Sequence, residues 1–167
     1  MNTNRQQSID KLRNLVESIE TAMLTTIDNG VLRSRPMGTR EIDLDGNLWF
    51  FTNAETHKVS EIMKDNRVSV TYASPENSTY VSITGTAEFS TDETKIVQLW
   101  DPIEKAWYPK GLNDPTLVLL MVNVEQAEYW DANKSAYVQI KGFLKAAVTG
   151  EKAVGSENRK LSMGAQM

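Results

Sequence analysis

The chain has 167 residues, a formal net charge of −4 with both signs interspersed, no cysteine and one histidine. That length suits one domain with a sizeable core, and the charge balance lacks the basic face of a nucleic-acid binder. Without cysteine there is neither a disulfide framework nor a thiolate metal site, and a single histidine makes a protein-only zinc centre improbable. No apolar run approaches the roughly 20 residues needed to span a bilayer, and the polar N-terminus "MNTNRQQSIDKL" has no signal-type stretch. The expectation is a soluble, cytoplasmic single domain over 1–167.

"TNRQ" (Thr3 to Gln6) has the form of a capping box. Ile9, Leu12, Val16 and Ile19 then recur at helical spacing, predicting an amphipathic helix over roughly 4–19 in an N-terminal segment 1–19. From Glu20 the period becomes two. "TAMLTTI" and "VLRSRPMGTREIDL" flank Asp28-Asn29-Gly30, a hairpin signal because Asn and Gly tolerate positive φ. A second turn, "DLDGN", leads into "LWFFT", giving a three-stranded meander. Pro36-Met37-Gly38 is expected to break the middle strand with a bulge.

A helix from about Thr56 to Asp65-Asn66 carries Val59, Ile62 and Met63 on one face. "RVSVTYA" and "TYVSITGTAEF" alternate as strands. "STDE" (Ser90 to Glu93) reads as a capping box opening a helix with Ile96, Val97, Leu99 and Trp100. An irregular segment, "DPIEKAWYPKGLNDP", precedes the longest strand candidate, "TLVLLMVNVEQAEYW". "KGFLKAAV" has the look of a short helix, and about 152–167 of a weakly ordered tail. The architecture predicted is mainly β (α+β), a small barrel with peripheral helices.

Three features could carry chemistry. The first is "TNAETHK", at a strand-to-helix junction. A helix N-terminus offers unpaired N–H groups and partial positive charge, and the Thr56 hydroxyl and Lys58 ammonium add donors and a full charge, a set suited to phosphate. On this stretch alone a plain cap and a solvated lysine is the stronger reading, and His57 reads as a surface residue. The second is "RSRPMGTR", which places Arg33, Arg35 and Arg40 on one strand. Arg33 and Arg35 share a face, suited to an anion or the electron-rich edge of a cofactor ring; a solvent-facing arginine row is the equal alternative. The third is the tryptophans. Trp49 and Trp100 fit core positions. Trp107 lies in a loop and Trp130 at a strand end, where an aromatic covers a flat ligand or an interface, although packing on the protein's own core is the commoner use. There is no nucleophile–base pair and no Walker A or Rossmann fingerprint, so a cofactor would have to supply any chemistry.

The order of "AMLTTID", "SRPM", "WFFTN", "THK", "YVSITGTAEF", "AWYPKG", "EYWD" and "AAVTGE" resembles the FMN-binding split barrels of the pyridoxamine-phosphate oxidase-like superfamily, and within it the bacterial general stress protein branch. The resemblance covers nearly the whole chain. It implies a six-stranded antiparallel split β-barrel, a homodimer with FMN at the subunit interface, and small-molecule electron donors or acceptors. It puts Ser34, Arg35, Pro36 and Met37 beside the flavin ring and Phe51 and Thr52 along the ring and ribityl chain. Thr56, His57 and Lys58 match the oxidases' Ser-Arg-Lys, so that Thr56 and Lys58 would hold the phosphate, with Arg40 at the position of a phosphate-binding lysine. Trp130 would reach the flavin from the partner chain, Trp107 would lie near the interface, and Tyr80 would face the cofactor.

The chain departs from the oxidases after Trp130. There it reads "DANKSAYVQI", lacking the Arg and His that bind their substrate, so true pyridoxamine-phosphate oxidase activity is not expected. The implied function is an FMN-dependent oxidoreductase such as a flavin reductase. The alternatives are a non-catalytic flavin-binding sensor, store or interaction module, and a barrel holding deazaflavin or haem, of which the phosphate-type site disfavours haem.

Overall fold

The computed structural model describes residues 3–131 and 157–162. Helix α1 (Thr3–Val16) comes first, then strands β1 (Thr21–Asp28), β2 (Val31–Ile42) and β3 (Leu48–Asn53). Helix α2 (His57–Lys64) leads into β4 (Arg67–Ser74) and β5 (Thr79–Ser90); α3 (Glu93–Leu99), short 3-10 turns, β6 (Leu117–Asp131) and β7 (Glu157–Ser162) complete the described chain. All strand pairings are antiparallel. The order β3-β2-β1-β4-β5-β6 closes on itself through a β3–β6 pairing, so β1 to β6 form a six-stranded ring, the split-barrel class that the sequence predicts.

β1 and β2 are joined where Asn29 (φ 50) and Gly30 (φ 83) both take positive φ, the tight hairpin turn that Asn-Gly favours. The expected break at Pro36-Met37-Gly38 does not occur. β2 runs on through Pro36, which lies opposite Met23 of β1. Along Val31–Gly38 no described strand lies on the other side of β2, so a residue without an N–H costs the sheet nothing there. The register slips further on, between Thr39 and Glu41 against β3. A second slip, at Thr84/Gly85 against β6, depends on glycine: a Cβ on Gly85 would meet the Asn123 carbonyl oxygen at 2.0 Å.

The ring encloses the main core, in which Leu24, Phe50, Val70, Ile83, Leu120 and Val122 are fully buried, and Ile9 and Leu12 of α1 pack against it. A second cluster lies on the other face of β3 and β6, where Phe51, Leu117 and Leu119 meet Ile96 of α3 and Tyr108, with Trp49, Leu99 and Trp100 packed alongside. Being covered on both faces explains why "LWFFT" and "LVLLMV" read as continuous apolar runs rather than alternating ones.

Several boundaries differ from expectation. α1 ends at Val16 rather than near 19. Ser90 belongs to β5, and the cap of α3 is Asp92, whose side chain accepts from the N–H groups of Thr94 and Lys95; Ser90 instead accepts from the Asp92 N–H. The buried face of α2 carries Glu61 and Ile62, while Met63, expected inside, is 76% exposed. Residues 157–162, within the segment expected to be weakly ordered, form β7 along Gln126–Asp131 of β6. "KGFLKAAV" and the rest of the expected tail lie outside the described residues. No helix among the described residues is long and apolar enough to cross a membrane.

Candidate functional site

β3 ends at Asn53, and the turn into α2 brings Thr52, Thr56 and Lys58 together. The Lys58 ammonium donates to the Thr52 hydroxyl at 2.9 Å and to the Thr56 hydroxyl at 3.2 Å. Thr52 is buried and Lys58 half-buried. Thr56 occupies the N-cap position of α2 but makes no side-chain cap; its hydroxyl donates back to the Asn53 carbonyl at 2.8 Å. The plain-cap reading of Thr56 is therefore wrong, and its oxygen serves Lys58 instead. No carboxylate lies within ion-pair distance of the Lys58 Nζ among the described residues. Burial pushes this ammonium below the usual lysine range, Arg35 pushes it the same way, and Glu61 opposes both.

Beside it lies a denser group. On β1 and β2, Ala22, Leu24 and Thr26 face Met37, Arg35 and Arg33, so the two arginines share one face, on which Arg35 is largely covered while Arg33 stays 51% exposed. Both reach Glu61 of α2, which is 3% exposed. Arg35 donates to Glu61 Oε2 at 2.7 Å and to the Thr26 hydroxyl at 2.8 Å; Thr26 in turn donates to Glu61 Oε2 at 2.5 Å. Arg33 Nη1 stands 3.6 Å from Glu61 Oε1 and 3.1 Å from Asp28. Burial alone would raise the Glu61 carboxyl. The donations from Thr26 and Arg35 and the charges of both arginines hold it below the usual range instead.

Other expected residues lie outside this group. Ser34 is exposed and shares a 2.6 Å hydrogen bond with Thr25. Pro36 is exposed beside buried Met37. Arg40, at the register slip, is ion-paired with buried Glu104 of the 102–106 turn. Phe51 lies in the second cluster, edge-on to Trp100 and Tyr108 with ring centroids 5.8 and 6.5 Å away. His57 is exposed. Tyr80 and Trp130 are cross-strand partners on the outer face of β5 and β6, Tyr80 being 42% exposed. Trp107 is 79% exposed.

Sequence reasoning missed Thr26, Glu61 and Glu104. Thr26 is a polar residue at a fully buried position of an alternating strand, a signal the β1 pattern does contain. Among the described residues no cluster of His, Asp or Glu is arranged to hold a metal. A cleft of about 490 Å³ lined by Ile62, Met63, Arg67, Ala87 and Phe89 lies at the far end of α2 from Lys58.

The turn thus holds a half-buried cation between two hydroxyl acceptors at a helix start. A protein of Neurospora crassa named bli-3 is 26% identical over 167 residues, 93% of this chain and 80% of that one. A Jannaschia sp. CCS1 structure, described as a candidate general stress protein 26, covers 92% of this chain and 96% of its own with a TM-score of 0.76 at 22% identity, which speaks to the fold. A general stress FMN/FAD-binding protein of Xanthomonas citri is 28% identical over 77% of this chain and 92% of that one, with a TM-score of 0.66. The pyridoxamine 5'-phosphate oxidase-like family model matches residues 7–154, and the chain belongs to that family.

Proposed function

We propose that this protein is an FMN-binding flavoprotein of the general stress type, with redox activity toward a small substrate. The observation that carries the reading is the Lys58 ammonium between the Thr52 and Thr56 hydroxyls, half-buried and, among the described residues, without a carboxylate at ion-pair distance. Such a cation is costly to the protein by itself, and a phosphate offsets that cost. Thr56 and Lys58 would hold the phosphate, with His57 alongside. Thr52 and Phe51, with Ser34, Arg35, Pro36 and Met37, would line the ribityl chain and ring. Arg40, ion-paired with Glu104, would stand at the position of a phosphate-binding lysine. Bound flavin would supply the two-electron chemistry.

We further assign a cytoplasmic homodimer in which Tyr80, Trp130 and Trp107 meet the partner. The outward Tyr80–Trp130 pair and the exposed Trp107 favour this, since large aromatics left in solvent are the usual anchors of an interface. A monomeric elution with tightly bound flavin would contradict the dimer.

A second reading, a flavin-binding sensor or store without turnover, draws on the ion pairing of both buried glutamates, Glu61 and Glu104. Neither is a free acid or base. An absorbance spectrum followed by anaerobic titration with NADH and NADPH separates the readings. Rapid bleaching supports the redox protein, and a flavin spectrum that neither donor changes supports the module. A colourless protein that takes up no FMN ends both.

A further inference from the structure

Lys58 and Glu61 are three residues apart on α2 and so lie on the same side of the helix. They are not ion-paired with each other; the Glu61 carboxylate is committed to Arg35, Thr26 and Arg33. Three cations, Arg33, Arg35 and Lys58, therefore gather around one buried carboxylate, with Asp28 holding Arg33 from its exposed side. Glu61 Oε1 is buried without a hydrogen-bond partner and meets only the Arg33 charge at 3.6 Å. Resting on the phosphate reading above, we infer that Glu61 is a positioning residue: its buried charge keeps Lys58 protonated for an anionic ligand that Glu61 never touches.

The chemistry follows from which of the three cations can give up a proton. Arginine effectively cannot, whereas a lysine in a desolvated site can. Without the Glu61 charge, burial and Arg35 act on Lys58 unopposed, so its proton, and with it the attraction for phosphate, is held less firmly. The charges facing Lys58 are Arg35 from β2, which drives the proton off, and Glu61 from its own helix, which holds it on. Arg33 and Asp28 act on Glu61 from the hairpin side.

The test is the ratio of riboflavin to FMN dissociation constants as a function of pH, above about pH 7.5, where a phosphate monoester is already dianionic. The ratio isolates the phosphate from the ring. In the native protein it should decline through one titration as Lys58 deprotonates. In Glu61→Gln that midpoint should move to lower pH while the ratio below it is retained, and in the Glu61→Gln/Lys58→Arg double variant the titration should disappear. A ratio that falls by the same factor at every pH, or an unmoved midpoint, overturns the inference. If Glu61→Gln does not fold, Arg35→Gln carries the test by moving the midpoint up; an unmoved or lowered midpoint overturns it. Absence of any preference for FMN over riboflavin in the native protein would instead overturn the phosphate reading itself.

Discussion

Among the described residues are two buried glutamates paired with arginine, Glu61 and Glu104, and they behave oppositely. Glu61 meets Arg35, Thr26 and Arg33, and its carboxyl is held below the usual range although burial works against it. Glu104 meets Arg40 but also has Asp101 nearby. There burial, the largest influence, is opposed by Arg40 and reinforced by Asp101, and the carboxyl sits above the usual range. The difference teaches that one partner does not compensate a buried carboxylate. A second guanidinium and a hydroxyl do, through two hydrogen bonds to Oε2 and the Arg33 charge beside Oε1. Neither is fully satisfied: Glu61 Oε1 in the first, and the Arg40 Nε and Glu104 Oε1 in the second, are buried without a hydrogen-bond partner.

The comparison is broken most directly by deletion. Glu61→Ala leaves Arg35 facing only Thr26 and should cost about 3 kcal/mol of unfolding free energy by urea titration, the low end for a broken buried pair because Arg35 is partly exposed. Glu104→Ala should cost no more than about 1 kcal/mol, because the carboxylate it removes is already disfavoured where it sits. Equal losses would show that partner count does not matter. Thr26→Val, which removes one hydroxyl from the first network, is expected to cost about 1–2 kcal/mol by the same titration.

The pH dependence sharpens the contrast. Glu61, with its folded value depressed, contributes stability that is present above the ordinary glutamate value of 4.5 and is lost as pH falls through the lower folded value. Glu104, with its value raised, works the other way: stability is gained as pH falls through the raised value toward 4.5. Thermal melts of Glu61→Gln should therefore lose part of the acid destabilisation below 4.5, while Glu104→Gln should flatten a shallower slope of opposite sign above it. The smallest effect belongs to Ser34→Ala. Its exposed bond to Thr25 should be worth less than about 0.5 kcal/mol, while a flavin contact at this position would appear in the FMN dissociation constant.

How legible each region was depends on how local its physics is. The Asn29-Gly30 hairpin was readable because two adjacent residues decide it, and the barrel's strands because alternation and double-sided burial leave their mark within a few residues. Pro36 misled, since a proline reports that its own N–H is unneeded but not whether the strand stops or merely borders an open edge. "STDE" misled because Ser90 and Asp92 are both competent caps, and β5 continues through the first. Lys58 and Thr56 could be read as a pair from sequence, but Thr52 joins them only through the bend between β3 and α2. Glu61 was invisible for a different reason. Its partners are 26 and 35 residues away, and a glutamate beside Ile62 and Met63 looks like the polar edge of a helix. Its apolar neighbour Met63 took the exposed position instead.

β6 has a further property that concerns solubility rather than the site. One edge pairs with β5 along Leu119–Asp131, while the other is shared, with Leu117–Val122 against β3 and Gln126–Asp131 against β7. The strand that closes the ring thus outruns its closure, and β7 covers the overhang. Lifting β7 away would bare a row of unsatisfied backbone donors and acceptors at the Tyr129-Trp130 end of β6, the kind of template on which chains add to one another. A chain cut before Glu157 should keep its ring and core yet self-associate as its concentration rises, so the short last strand acts as a guard against polymerisation.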